Sequence, residues 1–169
     1  MKSIILRFLS LTMLFFITTP VPATPAPDVI WPTQKGELRL DQLRGKVVYL
    51  DFWASWCAPC RKSFPFMNEL QARYGDQGLV VLAVNLDKER ELVERFLAKY
   101  PARFTVAYDP SGKTAESFAV RGMPSTYLID RDGEVRLSHV GFREKDRTKL
   151  EDHVQKILGA IDTEPSEEN

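Results

Sequence analysis

The sequence predicts a three-layer α/β domain: a mixed central sheet flanked by helices. Three observations carry that expectation. Residues 47–53 and 79–84 are almost continuously apolar, β-branched or aromatic, as strands buried on both faces are. Segments of helical spacing alternate with such strands along the chain. Near the end, residues 125–130 and 134–140 read as two strands joined at Arg131-Asp132-Gly133, a hairpin signal that makes the sheet mixed.

In chain order, the first 23 residues stand apart. Lys2 and Arg7 give a short basic start, residues 8–17 form an apolar run broken only by Ser10 and Thr12, and Val21 and Ala23 put small residues at a cleavage site. Residues 1–23 therefore read as a secretory signal peptide, and a periplasmic, exported location is expected. An uncleaved anchor is the rival reading, but a spanning helix needs about 20 apolar residues and this run is shorter. No cysteine follows it, which speaks against a lipoprotein anchor. Residues 24–35 contain Pro25, Pro27 and Pro32 and are expected to form an extended Pro-rich tether without packed structure.

The folded domain is expected over residues 36–161. Leu38 and Leu40 flank Arg39 in a short alternating stretch, residues 41–43 suit one helical turn, and Gly45-Lys46 precedes the strand at 47–53. Phe64, Met67, Leu70 and Tyr74 give residues 63–74 a helical spacing that Gly75 and Gly78 end. Residues 88–100 read as a charged amphipathic helix with Leu92, Phe96 and Leu97 inward, stopped by Pro101. The charge run 87–95 reads as a solvated helix face. A short strand (104–108), a turn at Asp109-Pro110-Ser111-Gly112 and a short helix (114–118) lead to the hairpin. Residues 145–161 close the domain as a helix with Leu150, Val154, Ile157, Leu158 and Ile161 on its apolar side. The acidic tail 162–169, with Glu164, Glu167 and Glu168, is expected to be disordered.

Composition bounds the function. The 169 residues suffice for one domain with a real core, and 23 basic against 23 acidic residues argue against a nucleic-acid partner. Without residues 1–23 the balance becomes 21 against 23, a formal charge of −2. The chain has two cysteines, Cys57 and Cys60. A bridge across so short a loop constrains the unfolded chain little, so the value of the pair is chemical. Two thiols are also too few for a closed zinc site.

The pair lies between the strand at 47–53 and the following helix. Unpaired N–H groups and the macrodipole at a helix N-terminus stabilise a thiolate, and Arg61 and Lys62 act in the same direction. Cysteines so placed can have a pKa of about 7 or lower. Pro59 suits the first turn, where a missing N–H costs nothing. Cys57, at the exposed start, is expected to attack a disulfide, and Cys60, one turn later, to resolve the mixed disulfide. The bland alternative is a pair of small core residues or half a metal site. Asp51 interrupts the apolar strand, so it is expected to be buried with a raised pKa and able to exchange a proton with Cys60; the alternative is a strand-end carboxylate facing water. Gly122-Met123-Pro124-Ser125 precedes a strand and is a candidate for a cis Met123–Pro124 bond.

These residues together resemble the thioredoxin family. Asp51-Phe52-Trp53-Ala54-Ser55-Trp56-Cys57-Ala58-Pro59-Cys60 is similar to its active-site strand and motif, with both tryptophans and the acid six residues before the first cysteine. Pro65 matches the proline inside the family's first long helix. Val120-Arg121-Gly122-Met123-Pro124 is similar to its cis-proline loop, and Asp132-Gly133-Glu134-Val135 with Gly141 to its terminal hairpin. The resemblance spans about residues 36–161. The stretch 87–124 is longer than in thioredoxin itself, and this extra helix–strand insertion, with the export signal, resembles the TlpA-like branch, mostly periplasmic reductants.

The resemblance implies a thioredoxin-like fold and a thiol-disulfide oxidoreductase that reduces disulfides of client proteins and is recharged by a membrane thiol reductase. It implies a cis Pro124, with Trp56, Met123 and Pro124 binding substrate. No cofactor and no metal are expected, and the chain is expected to be a monomer. Two departures stand out. Many TlpA-like members have Asn where this chain has Asp51, and the lysine that pairs with the buried acid in thioredoxin has no clear equivalent in Leu82-Ala83-Val84-Asn85.

Other readings remain open at this point. The Ala-Pro dipeptide does not fix redox direction, so an oxidase or isomerase is an alternative. A thiol peroxidase would want Thr or Ser where Ala54 stands. A copper carrier would need ligands beyond the two thiols, for which only His139 and His153 are present. Trp56 is either a docking surface or a packing lid.

Overall fold

A computed structural model of the chain describes residues 24–159. The expected signal (1–23), the tail (162–169) and Ile161 lie outside the described residues. In chain order the strands and helices are β1 (Thr24–Pro25), β2 (Ile30–Thr33), β3 (Gly36–Arg39), β4 (Val47–Trp53), α1 (Cys60–Tyr74), β5 (Leu79–Asn85), α2 (Arg90–Lys99), β6 (Thr105–Tyr108), α3 (Lys113–Ser117), β7 (Ser125–Ile129), β8 (Glu134–Val140) and α4 (Asp146–Gly159). Short 3₁₀ turns at Leu40–Leu43 and Gly75–Gln77 complete the path. Among the described residues no helix is long and apolar enough to cross a membrane.

The strands form one sheet in the order β1-β8-β7-β4-β5-β6-β2-β3. β4, β5 and β6 run parallel, while β7 adds antiparallel to the other side of β4 and β8 pairs antiparallel with β7. Every residue of β4 is buried, which explains its unbroken apolar sequence. Alternation along β4 feeds two cores. Val47, Tyr49 and Trp53 pack with α1, α2 and α4, whereas Val48, Leu50 and Phe52 pack with Trp31, Ala115 and Phe118 on the far face. These are the three layers. The β7–β8 turn closes at Gly133, whose φ of 79° suits glycine.

Residues 24–35 do not form the expected free tether. β2 pairs antiparallel with β3 and meets β6 at Thr33 opposite Ala107, while β1 pairs with β8. Trp31 is fully buried, and its indole N–H donates to Thr114 Oγ1 at 2.7 Å. Prolines exclude a helix interior but are accommodated at sheet edges, so the composition that suggested a tether also fits a marginal strand. In α2, Phe96 is buried as expected and Val93 joins it, while Leu92 and Leu97 are only half-buried. The helix presents Val93 and Phe96, three residues apart, to the sheet. Together α2 and β6 form the expected helix–strand insertion.

Candidate active site

β4 and its parallel neighbour β5 end level, Trp53 opposite Asn85, and the chain turns through residues 54–59 into α1. Cys57 and Cys60 are joined as a disulfide at this turn. Cys60 opens α1 and is fully buried; Cys57 is only 4% exposed, more recessed than its expected place at an exposed start. The cover comes from packing: both sulfurs belong to the apolar cluster that includes Trp53, Phe64 and Met67. Cys57 remains the more accessible of the two, beside exposed Trp56, Ala58 and Pro59. Trp56 is 66% exposed, so it is no packing lid. The Cys60 N–H donates to Cys57 Sγ at 3.2 Å, and the Cys57 N–H donates to the Ala54 carbonyl at 3.1 Å. The first helical amide thus already points at the outer sulfur.

Asp51 is fully buried, as expected, and not a strand-end group facing water. Alternation places it on the same face of β4 as Tyr49 and Trp53, the face whose core contains both cysteines. Burial pushes its carboxyl up to about 7, a rise moderated by the hydrogen bond that Thr126 Oγ1 donates to Asp51 Oδ1 at 2.7 Å. Thr126 lies directly across the β4–β7 ladder, and Tyr49 Oη is 3.4 Å from its hydroxyl. Among the described residues Asp51 Oδ2 has no hydrogen-bond partner. No cation among the described residues takes the place of the lysine that the sequence lacks; one threonine hydroxyl is the acid's hydrogen-bond partner.

The site holds a second buried acid that the charge pattern hides. Asp87, read as part of a solvated face, is buried. Its carboxylate accepts the Ser55 N–H at 2.7 Å, the Ser55 hydroxyl at 2.9 Å and an Asn85 side-chain N–H at 2.8 Å. The Asp87 N–H donates to Asn85 Oδ1 at 2.9 Å in return. Asp87 therefore ties the turn that carries Cys57 to the end of β5. The available signal was Asn85-x-Asp87 at the carboxyl end of a buried parallel strand, where a polar pair has loop N–H groups to satisfy.

Met123–Pro124 is cis and leads directly into β7. Pro124 is buried, its carbonyl accepts the Gly141 N–H at 2.7 Å, and Met123 packs against the cluster that holds both cysteines. The structure thus brings Cys57, Cys60, Asp51 and Met123 to one core. The two histidines lie apart from the dithiol's hydrogen bonds: His153 Nδ1 is 2.6 Å from the Lys149 carbonyl, and His139 Nε2, 3.8 Å from Asp146 Oδ2, has no hydrogen-bond partner among the described residues. Among the described residues no three His, Cys, Asp or Glu side chains gather as a metal site.

Comparison with known proteins follows the same outline. The Redoxin family matches residues 22–154. The thiol-disulfide oxidoreductase ResA of Bacillus cereus is 36% identical over 133 residues, which cover 78% of this chain and 76% of the relative. ResA of Geobacillus kaustophilus is 36% identical over 141 residues, 83% of this chain and 80% of its own. Among solved structures, a candidate thiol:disulfide interchange protein DsbE from Chlorobium tepidum matches with a TM-score of 0.80 at 50% identity, covering 83% of this chain and 100% of that one. These matches run through the strand, turn and helix that build the dithiol, and on them the chain belongs to the Redoxin family and is a thiol-disulfide oxidoreductase of the TlpA-like branch of the thioredoxin superfamily.

Proposed function

We propose that this oxidoreductase works as an exported reductant of client protein disulfides, with Cys57 as nucleophile and Cys60 as resolving thiol. The observation that carries the assignment of roles is the amide of Cys60 donating to Cys57 Sγ at the head of α1. With the helix terminus, that N–H favours negative charge on the outer sulfur. In the reduced enzyme the Cys57 thiolate attacks one client sulfur, forming a mixed disulfide and releasing the other client sulfur as a thiol after protonation. Cys60 gives its proton to Asp51 and attacks Cys57 Sγ, expelling the second client sulfur. Two electrons pass to the client, and the Cys57–Cys60 disulfide remains.

Asp51 suits the proton step because its carboxyl, near 7, can hold or release a proton at working pH. Trp56, Met123 and Pro124 line the approach and bind the client chain. A membrane thiol reductase recharges the pair. The export reading is supported by the basic start, apolar run and small-residue site of residues 1–23 and goes with a periplasmic enzyme, which we take to act as a monomer.

Equilibration of the Cys57/Cys60 pair against a glutathione or dithiothreitol series tests the direction. A reduction potential near about −270 mV is expected of a reductant that must be fed electrons; a value near about −120 mV would overturn the reading in favour of an oxidant.

A further inference from the structure

Beside the dithiol, between the first turn of α1 and α2, lies an open groove of about 280 Å³. Phe96 and Tyr100 form an aromatic floor, their ring centroids 4.9 Å apart. The rim carries three cations: Arg61, which follows Cys60, and Arg95 and Lys99, one turn apart on α2. Ser55, of the turn that Asp87 clamps, closes one end. No acidic side chain lines the groove.

Many cations of the molecule lack a carboxylate partner among the described residues, but this groove gathers three of them on one lining that holds no acid. Arg39, Arg73, Arg90, Arg136, Arg143 and Arg147 each sit within ion-pair distance of a carboxylate. Among the described residues Arg61, Arg95 and Lys99 have no such partner; Lys99 has the Tyr100 ring at 5.6 Å. Formal charge over the chain is zero, so the cluster is a local concentration, not the overflow of a basic protein. Cations at i and i+4 repel on a helix.

We infer that this groove docks an acidic segment of the redox partner's polypeptide, next to the disulfide that reacts with Cys57. The inference rests on the proposed attack by Cys57 and adds to it a partner chemistry. Position supports it: Ser55 and Arg61 bracket the Cys57–Cys60 pair in sequence, so a chain whose disulfide meets Cys57 reaches the groove within a few residues. β5 leads to α2 on one side of β4, while Pro124 leads into β7 on the other. The groove is therefore a separate surface from the Met123–Pro124 loop. Unpaired cations around an aromatic floor favour carboxylates with an apolar neighbour, and they accelerate encounter in a salt-dependent way.

Three peptide disulfides of one length, flanked by glutamates, serines or lysines, test it, each reduced by the dithiol form of the full chain in low salt. The glutamate peptide should react about tenfold faster than the lysine peptide, a ratio falling towards twofold in high salt. In R95E/K99E the preference should reverse, and in R95Q/K99Q it should fall to about twofold, with the rate on the serine peptide unchanged. A wild-type ratio near one, or a ratio the variants leave intact, overturns the groove assignment. Failure to reduce even the serine peptide would instead overturn the proposed reductase reading, so the two failures are distinct.

Discussion

Asp51 sits on a central strand with, among the described residues, one hydroxyl donor and no cation, and its chemistry follows from that poverty of partners. Burial favours the neutral form, so the folded carboxyl titrates near 7 against an ordinary 3.8. Between those values the unfolded chain binds fewer protons than the fold. Stability from this group is therefore complete below about pH 4 and is lost as pH rises through about 7, a change on the order of 4 kcal/mol. Urea titrations of the oxidised protein, in which neither cysteine can ionise, should show this decline. In D51N the decline should vanish, so the variant gains on wild type as pH rises from about 4 to 8. Parallel pH profiles for the two proteins would show instead that the carboxyl is solvated or paired.

At the scale of elements, β2 decides whether the amino-terminal segment belongs to the fold. Its central residue Trp31 is fully buried between the sheet and α3, with the indole N–H bonded to Thr114. Asp109 in turn accepts from the Thr114 N–H, the Thr114 hydroxyl and the Ala115 N–H, so the tryptophan closes a network at the start of α3. Replacing it leaves a large cavity and removes the donor to the Thr114 hydroxyl, which keeps its own bond to Asp109. W31A should cost about 3–5 kcal/mol by chemical denaturation. A loss within about 0.5 kcal/mol would restore the tether that the prolines suggested.

At the scale of the molecule, redox direction and fold stability are one quantity. A pair whose oxidised form is the better folded one has a low potential, because the fold then favours the disulfide over the dithiol. For a two-electron couple about 30 mV corresponds to 1.4 kcal/mol. A reductant should therefore unfold at a higher urea concentration when oxidised than when reduced. The reverse order, with the reduced form more stable, belongs to an oxidant and would contradict the proposed direction independently of any potentiometric value. The recessed position of both sulfurs, 4% and 0% exposed, ties their redox state to the core that Trp53, Phe64 and Met67 build.

The layers, the central strands, the hairpin and the dithiol at a helix start are legible in the residues alone, and the lone acid at Asp51 is marked there as a candidate for burial. All of these follow from local patterns: apolar continuity on β4, helical spacing on α1, turn chemistry at Gly133, and a lone acid in a buried run. Tertiary structure alone decided the rest. Trp31 became core because β6 and α3 meet it from distant parts of the chain. Asp87 leaves the charged face of its neighbours because Ser55, 32 residues away, offers it two donors. Thr126 became the partner of Asp51 through the register of β4 against β7, which no window of sequence contains. The cationic groove, likewise, exists only because α2 packs its Arg95 and Lys99 beside Arg61 of α1. Periodicity reports which face a residue turns inward; which residue it then meets is set by packing across the sheet.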